Sequence, residues 1–363
     1  MTRFLNLPLL LIALLLITPA RAEKTTQALP PQAVGDNTML AVYVDVTQIN
    51  PEILSGLGEM LKGLTQNDAL KDQGLALPMG DPKQIVDMLT LLRGSFLQAG
   101  GEGLAMTLEM PGEDSWSPPM ALLAKTNGKF DAQAMGAVVR SMGEGQMDTA
   151  LESLGDSWQN IAMKTKEGQP VTLAMPQPSA AAFDAMNKQL TQHKKPMLAV
   201  AFRMQDPMRE MMDAAEEAAK NAQPGQGQDA QAQMMVGMLM GMFKPIRSLD
   251  TVGLAVSQLE EGGMLINAQM TFKDAQSAQQ FANVYNMVLM FAPVALAQAG
   301  QGAEIPNMPD PAMINSFFMK LRMQPAGDSL KLTLDQEFFD LAEKLAPLFE
   351  GMQGQQAEPD FDL

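Results

Sequence analysis

Cysteine is absent from the 363 residues of this chain. Disulfides, thiol nucleophiles and lipid attachment through an N-terminal cysteine are all excluded by that alone. Histidine occurs once, as His193, in the polar stretch Gln192-His193-Lys194-Lys195-Pro196, which reads as a solvated join rather than a site. Two Trp and two Tyr are few for this length, and they disfavour carbohydrate processing, whose clefts rest a sugar ring on an aromatic face. Positive charge is scarce as well: 25 Lys and Arg stand against 41 Asp and Glu, a net charge of −16 with no basic block. Phosphate backbones and anionic head groups repel such a surface, so nucleic acid is not an expected partner.

Catalytic and cofactor motifs are missing too. The chain carries no G-x-S-x-G elbow and no S-x-x-K. Nor does it carry a calcium loop, a zinc-ligand set or a phosphate-binding glycine loop, so no cofactor is implied. Glu216-Glu217 and Glu260-Glu261 read as solvated charge on a helix face and in a turn. Ser316 and Lys320 stand in an S-x-x-x-K spacing, but Lys320 falls where a strand is expected to begin, which argues against a nucleophile–base pair.

What is present begins with a leader. Met1-Thr2-Arg3 is a short positive start, Leu5 to Ile17 is almost wholly apolar, and Pro19-Ala20-Arg21-Ala22 offers an A-x-A cleavage site. This predicts a secretory signal over residues 1–22, cleaved after Ala22, and export to the periplasm or beyond. The apolar run falls short of the roughly 20 residues a membrane span needs, so no span is expected after cleavage. Losing Arg3 and Arg21 leaves 23 basic against 41 acidic residues, a mature charge of −18. Residues 23–37, rich in Thr, Gln and Pro, are expected to be flexible.

The remainder reads as a duplication. Met39-Leu40-Ala41-Val42-Tyr43-Val44 matches Met197-Leu198-Ala199-Val200-Ala201-Phe202, and each run is followed by a helix-starting pair, Asn50-Pro51 and Asp206-Pro207. Strand pairs at Gly103–Leu108 with Met120–Ala124, and at Thr251–Gln258 with Met264–Met270, both lead into an Asp-Ala-Gln tripeptide (Asp131 and Asp274) that opens a helix. A third block pairs the hairpin Ile161–Met175 with Phe318–Leu334, each followed by a helix, over Ser179–Gln192 and Gln336–Met352. The expected fold is α+β, in two repeated units, residues 38–192 and 197–352. Each is an antiparallel sheet with helices packed on one face, and residues 353–363 form an acidic tail. This organisation resembles exported bacterial proteins of unknown function built from duplicated α+β halves. The resemblance carries no functional residues over.

The chain holds 33 Met. In the second half, Met208, Met211, Met212 and Ala215 follow helical spacing. Met234 to Phe243 is apolar all round, and so must be buried or meet a partner. Within it Gly237 and Gly241 form a weak G-x-x-x-G. Met287 to Ala297 is a further apolar stretch, whereas the corresponding first-half helices are interrupted by Asp87, Arg93 and Arg140. Three readings follow. Met fills the core, or the helices contact an apolar protein segment or lipid through Met208, Met211, Met212, Met235, Met238, Met242, Met287 and Phe291, or thioethers handle Cu(I). The expected function is a non-enzymatic binding or structural role; the rival is a hydrolase using carboxylates or the Ser–Lys pair. Of the two Trp, Trp116 lies in the long hairpin loop and is expected to fold back over the hairpin, the alternative being an exposed contact residue, and Trp158 is expected in the core.

Overall fold

The computed structural model describes residues 28–49, 82–111, 119–142, 147–155, 157–165, 168, 175–191, 196–221, 245–259, 263–302 and 310–353. The first half contributes β1 (Thr38–Asp45), α1 (Pro82–Gln98), β2 (Gly101–Glu109), β3 (Met120–Thr126), α2 (Ala132–Met142), β4 (Met147–Ser153), β5 (Trp158–Thr165) and α3 (Ala180–Thr191). The second contributes β6 (Leu198–Arg203), α4 (Asp206–Asn221), β7 (Leu249–Leu259), β8 (Gly263–Phe272), α5 (Ala275–Gly302), α6 (Pro311–Lys320), β9 (Gln324–Ala326), β10 (Ser329–Leu334) and α7 (Gln336–Gln353). The expected α+β class holds. Among the described residues, ten antiparallel strands follow the order β4-β5-β3-β2-β1-β6-β7-β8-β10-β9.

The chain divides into two compact units, Met1–Arg203 with Gly253–Met264, and Met204–Val252 with Leu265–Leu363. In the first, β1 runs between β2 and β6, with Val42 opposite Met106 on one side and Val200 on the other. Residues 41 to 45 are all buried. Strands buried on both faces read as unbroken apolar runs, which is how Met39–Val44 reads. The expectation of a sheet covered on one face therefore fails here. One face, with Ala41, Tyr43, Ala105, Leu123 and Trp158, packs under Ala182, Met186 and Leu190 of α3. On the other face Val42, Val44, Met106, Leu122 and Ala124 are buried too.

Residues 28–34 correct a second expectation. Leu29, Ala33 and Val34 are completely buried, the prolines turn the chain through a 3-10 turn at Pro31–Ala33, and the Ala28 amide donates to Asn187 Oδ1 at 3.2 Å. Three apolar side chains outweigh a Thr/Gln/Pro composition once α3 offers them a surface. Residues 23–27 and 354–363 lie outside the described residues.

The third repeated block is misplaced as read from sequence. Phe318–Met323 is not a strand, because α6 runs through Lys320. Asp310 caps it, accepting from the Ala312 amide at 2.8 Å, with Pro311 in the first turn. Met313, Ile314, Phe317 and Phe318 then pack around Leu345 of α7 at helical spacing. In the first half the partner of β5 precedes it: β4 pairs with β5, Met147 opposite Thr165. The connections of β4 to β5 and of β9 to β10 carry Gly155 and Gly327, and both glycines have positive φ, 86° and 69°. Val171 to Ala174 lies outside the described residues, as do Asn50-Pro51 and Trp116; Trp158 is in the core as expected.

Candidate functional site

In the second unit α5 is built in two stretches. Asp274 caps it, as the sequence predicts, accepting from the Ser277 amide at 2.8 Å and from its hydroxyl at 2.9 Å. These hydrogen bonds hold its carboxyl below the usual range. Ala278, Phe281, Ala282 and Tyr285 face the core beside Phe272 and Leu330, and Phe281 stacks on Tyr285 with ring centroids 6.1 Å apart. The Tyr285 hydroxyl donates to the Leu321 carbonyl at 3.1 Å, and Asn286 Nδ2 donates to the Met323 carbonyl at 3.2 Å. Up to this point the helix is anchored.

Beyond it the helix turns apolar side chains outward. Met287, Met290, Phe291 and Val294 follow i, i+3, i+4, i+7 and are 39, 62, 50 and 54% exposed. Val288 is exposed beside them. No charged residue occurs anywhere in the 28 residues of α5. Pro293 lies inside the helix and donates no hydrogen bond, so the carbonyl one turn back is left without that partner.

The sequence-predicted contact residues have mixed outcomes. Met287 and Phe291 belong to this outward stripe, while Met290 and Val294, at the same periodicity, complete it. In α4, Met211 is 71% exposed and Met208 and Met212 are half-buried, so that stripe is not a buried seam. Met235, Met238 and Met242, with Met234–Phe243 as a whole, lie outside the described residues, as do His193 and Glu260-Glu261. Asp206 begins α4 and pairs with Arg209, whose guanidinium also donates to the carbonyls of Arg247 and Leu249 at 3.0 and 2.9 Å. The Ser–Lys spacing is not assembled as a nucleophile–base pair. Ser316 donates its hydroxyl to the Ala312 carbonyl at 2.9 Å, and the Lys320 ammonium binds Glu337 and Asp335, which raise its pKa rather than freeing a base. Among the described residues no group of three or more His, Cys, Asp or Glu could hold a metal ion, and no helix is long and apolar enough to cross a membrane.

In the first unit the sheet assembles a polar row that sequence reading missed. Asp45 of β1 lies opposite Gly103 of β2, Gly103 opposite Lys125 of β3, and Lys125 opposite Trp158 of β5. Opposed residues share a face, so these four form one line across four strands. Gly103 leaves its place open, and Tyr43 fills it: a Cβ there would lie 2.9 Å from the Tyr43 hydroxyl. Lys125 Nζ sits 6.0 Å from the Tyr43 and Trp158 ring centroids, and the two rings meet edge-on at 6.5 Å. Burial raises the Asp45 carboxyl, with Thr47 and Lys125 drawing it part of the way back, and burial lowers the Lys125 amine against the pull of Glu102 and Asp45. The Tyr43 phenol is pushed up, by burial first and then by both acids.

No family model, no curated protein and no solved structure matches the chain.

Proposed function

We propose that this chain is an internal duplication, exported as a non-enzymatic binding protein, and that the outward stripe of α5 receives an apolar helical segment of a partner protein. Strand order supports the duplication. Read outward from the β1–β6 pair, the first half runs β1-β2-β3-β5-β4 and the second β6-β7-β8-β10-β9. Matching strands therefore hold matching places, and matching Asp residues cap α2 and α5.

One observation carries the binding reading. Set Asp131 against Asp274, and Met147, where β4 begins, corresponds to Met290. Met290, Phe291 and Val294 therefore lie in a part of α5 that has no helical counterpart in the first half. The shared fold requires no apolar surface there. Exposed apolar patches of this kind mark contact sites.

A protein segment suits the stripe better than a lipid surface. Helices that lie on membranes set Lys and Arg opposite their apolar face; α5 has neither, and the chain carries −16 overall. Two turns of helix, Met287 to Val294, would meet a partner helix at i, i+3, i+4, i+7 anchors. The test uses a labelled amphipathic peptide of Leu and Gln at helical spacing, a scrambled peptide of equal composition, and vesicles containing anionic phospholipid. Binding of the amphipathic peptide alone, weakened at least about tenfold by joint Met290→Gln and Phe291→Gln, supports the reading. Equal binding of the scramble, insensitivity to the substitutions, or co-flotation with vesicles sinks it.

A further inference from the structure

Half of the outward stripe of α5 is sulfur. Met287 and Met290 stand at i and i+3, 39 and 62% exposed, with Phe291 and Val294 completing the row. The side chains that hold the same helix on the core, Ala278, Phe281, Ala282 and Tyr285, carry no sulfur. Burial divides the other thioethers. Met106, Met135 and Met186 are at most 1% exposed, and among the described residues Met211 of α4 and Met319 of α6 are the other exposed methionines. The chain has no cysteine, so the thioether is its only sulfur group. Between Asn286 and Gln298 every side chain is apolar, and a polar atom added to Met287 or Met290 would interrupt an otherwise unbroken run.

We propose that Met287 and Met290 are an oxidation site, and that their conversion to sulfoxides by hydrogen peroxide releases the apolar segment the stripe receives. The inference rests on the binding reading given above. A sulfur lone pair attacks one peroxide oxygen, the S–O bond forms and the O–O bond breaks. The departing hydroxide takes the proton left on the transferred oxygen and leaves as water. Sulfur loses two electrons and the peroxide gains them. The oxidised side chain keeps its length but carries a polar, chiral oxygen, the change that disrupts methionine-rich contacts. Pressed against an apolar partner, that oxygen has no hydrogen bond, which makes its burial costly. Two of the four anchors change in this way. The core side of α5 has nothing to oxidise, so the helix stays docked while its outer face changes. Leu at the two positions would give the same apolar surface without this sensitivity.

The experiment uses the whole protein, hydrogen peroxide and the labelled Leu/Gln peptide, which itself contains no sulfur. Peptide mass spectrometry should find Met287 and Met290 oxidised at least about tenfold faster than Met106, Met135 and Met186, because susceptibility follows exposure. Peroxide should weaken peptide binding at least about tenfold with the Tm unchanged, and methionine sulfoxide reductases acting on both epimers should restore it. The double variant Met287→Leu, Met290→Leu should bind the peptide and go on binding it after peroxide. The double variant Met211→Leu, Met319→Leu should lose binding as the unaltered protein does. Peptide binding that survives peroxide overturns the proposal and leaves the binding reading standing. So does a loss that persists in the Met287→Leu, Met290→Leu protein, or one that comes with a falling Tm. Failure of the unoxidised protein to bind the peptide sinks the binding reading, and this proposal with it.

Discussion

Gly103 shows how one missing side chain organises its surroundings. Tyr43 can lean across the β1–β2 pair only because nothing occupies that place, and a Cβ would also lie 2.9 Å from the Val44 carbonyl. Gly103→Ala should therefore destabilise by about 1–3 kcal/mol through overpacking, measured by denaturant unfolding. Asp45 allows a second test. Its carboxyl is raised in the folded protein from 3.8, so folding favours the protonated form. That contribution is fully present below the unfolded value and is lost as pH rises through the folded one. Asp45→Asn removes it, and the Tm difference in favour of the variant should shrink as pH falls below 3.8. An equal difference at pH 7 and below 3.8 would refute this account. The sequence shows Asp45 closing an apolar run and Lys125 closing another. It does not show them in one row, because that needs the register of two strand pairs between residues far apart along the chain.

At the scale of elements, local chemistry was the readable part. The caps at Asp131 and Asp274 depend on hydrogen bonds two or three residues away, so they were legible. Replacing either by Ala should cost about 0.5–2 kcal/mol of stability. The β4–β5 hairpin was not legible, since its two sides are chosen by the sheet. Nor was α6 distinguished from a strand, because Phe317, Phe318 and Met319 suit both periods over so short a stretch. The two stretches of α5 should behave differently in thermal melts. Phe281→Ala, in the anchored part, should cost about 3–5 kcal/mol, while Met290→Gln on the outward stripe should stay within about 0.5 kcal/mol. A large loss at Met290 would mean that the stripe is sealed within the chain and does not face a partner.

Across the whole molecule, the proposed duplication has a geometric signature in the first unit. The sequence match sets Val42 against Val200, and these two residues are also direct neighbours in the β1–β6 ladder. Leu40 lies opposite Phe202, and Val44 opposite Leu198, as a two-fold axis through that pair requires. Cysteine pairs introduced at Leu40 with Phe202, and separately at Val44 with Leu198, should both oxidise to intramolecular disulfides in this otherwise cysteine-free chain; one pair closing without the other would break the symmetry. Export has its own check, an N-terminus at Glu23 in protein recovered from the cell envelope. The proposed duplication would have a historical consequence. A single repeat standing alone would leave the β1 edge open, a template for pairing with its own copy, and two such chains would close the same ten-stranded arrangement as a symmetric dimer. In the ancestor that the proposed duplication implies, every substitution would appear twice. Fusion of its two copies would end that obligation, leaving one free to expose Met290 on a longer helix without the same change in the other.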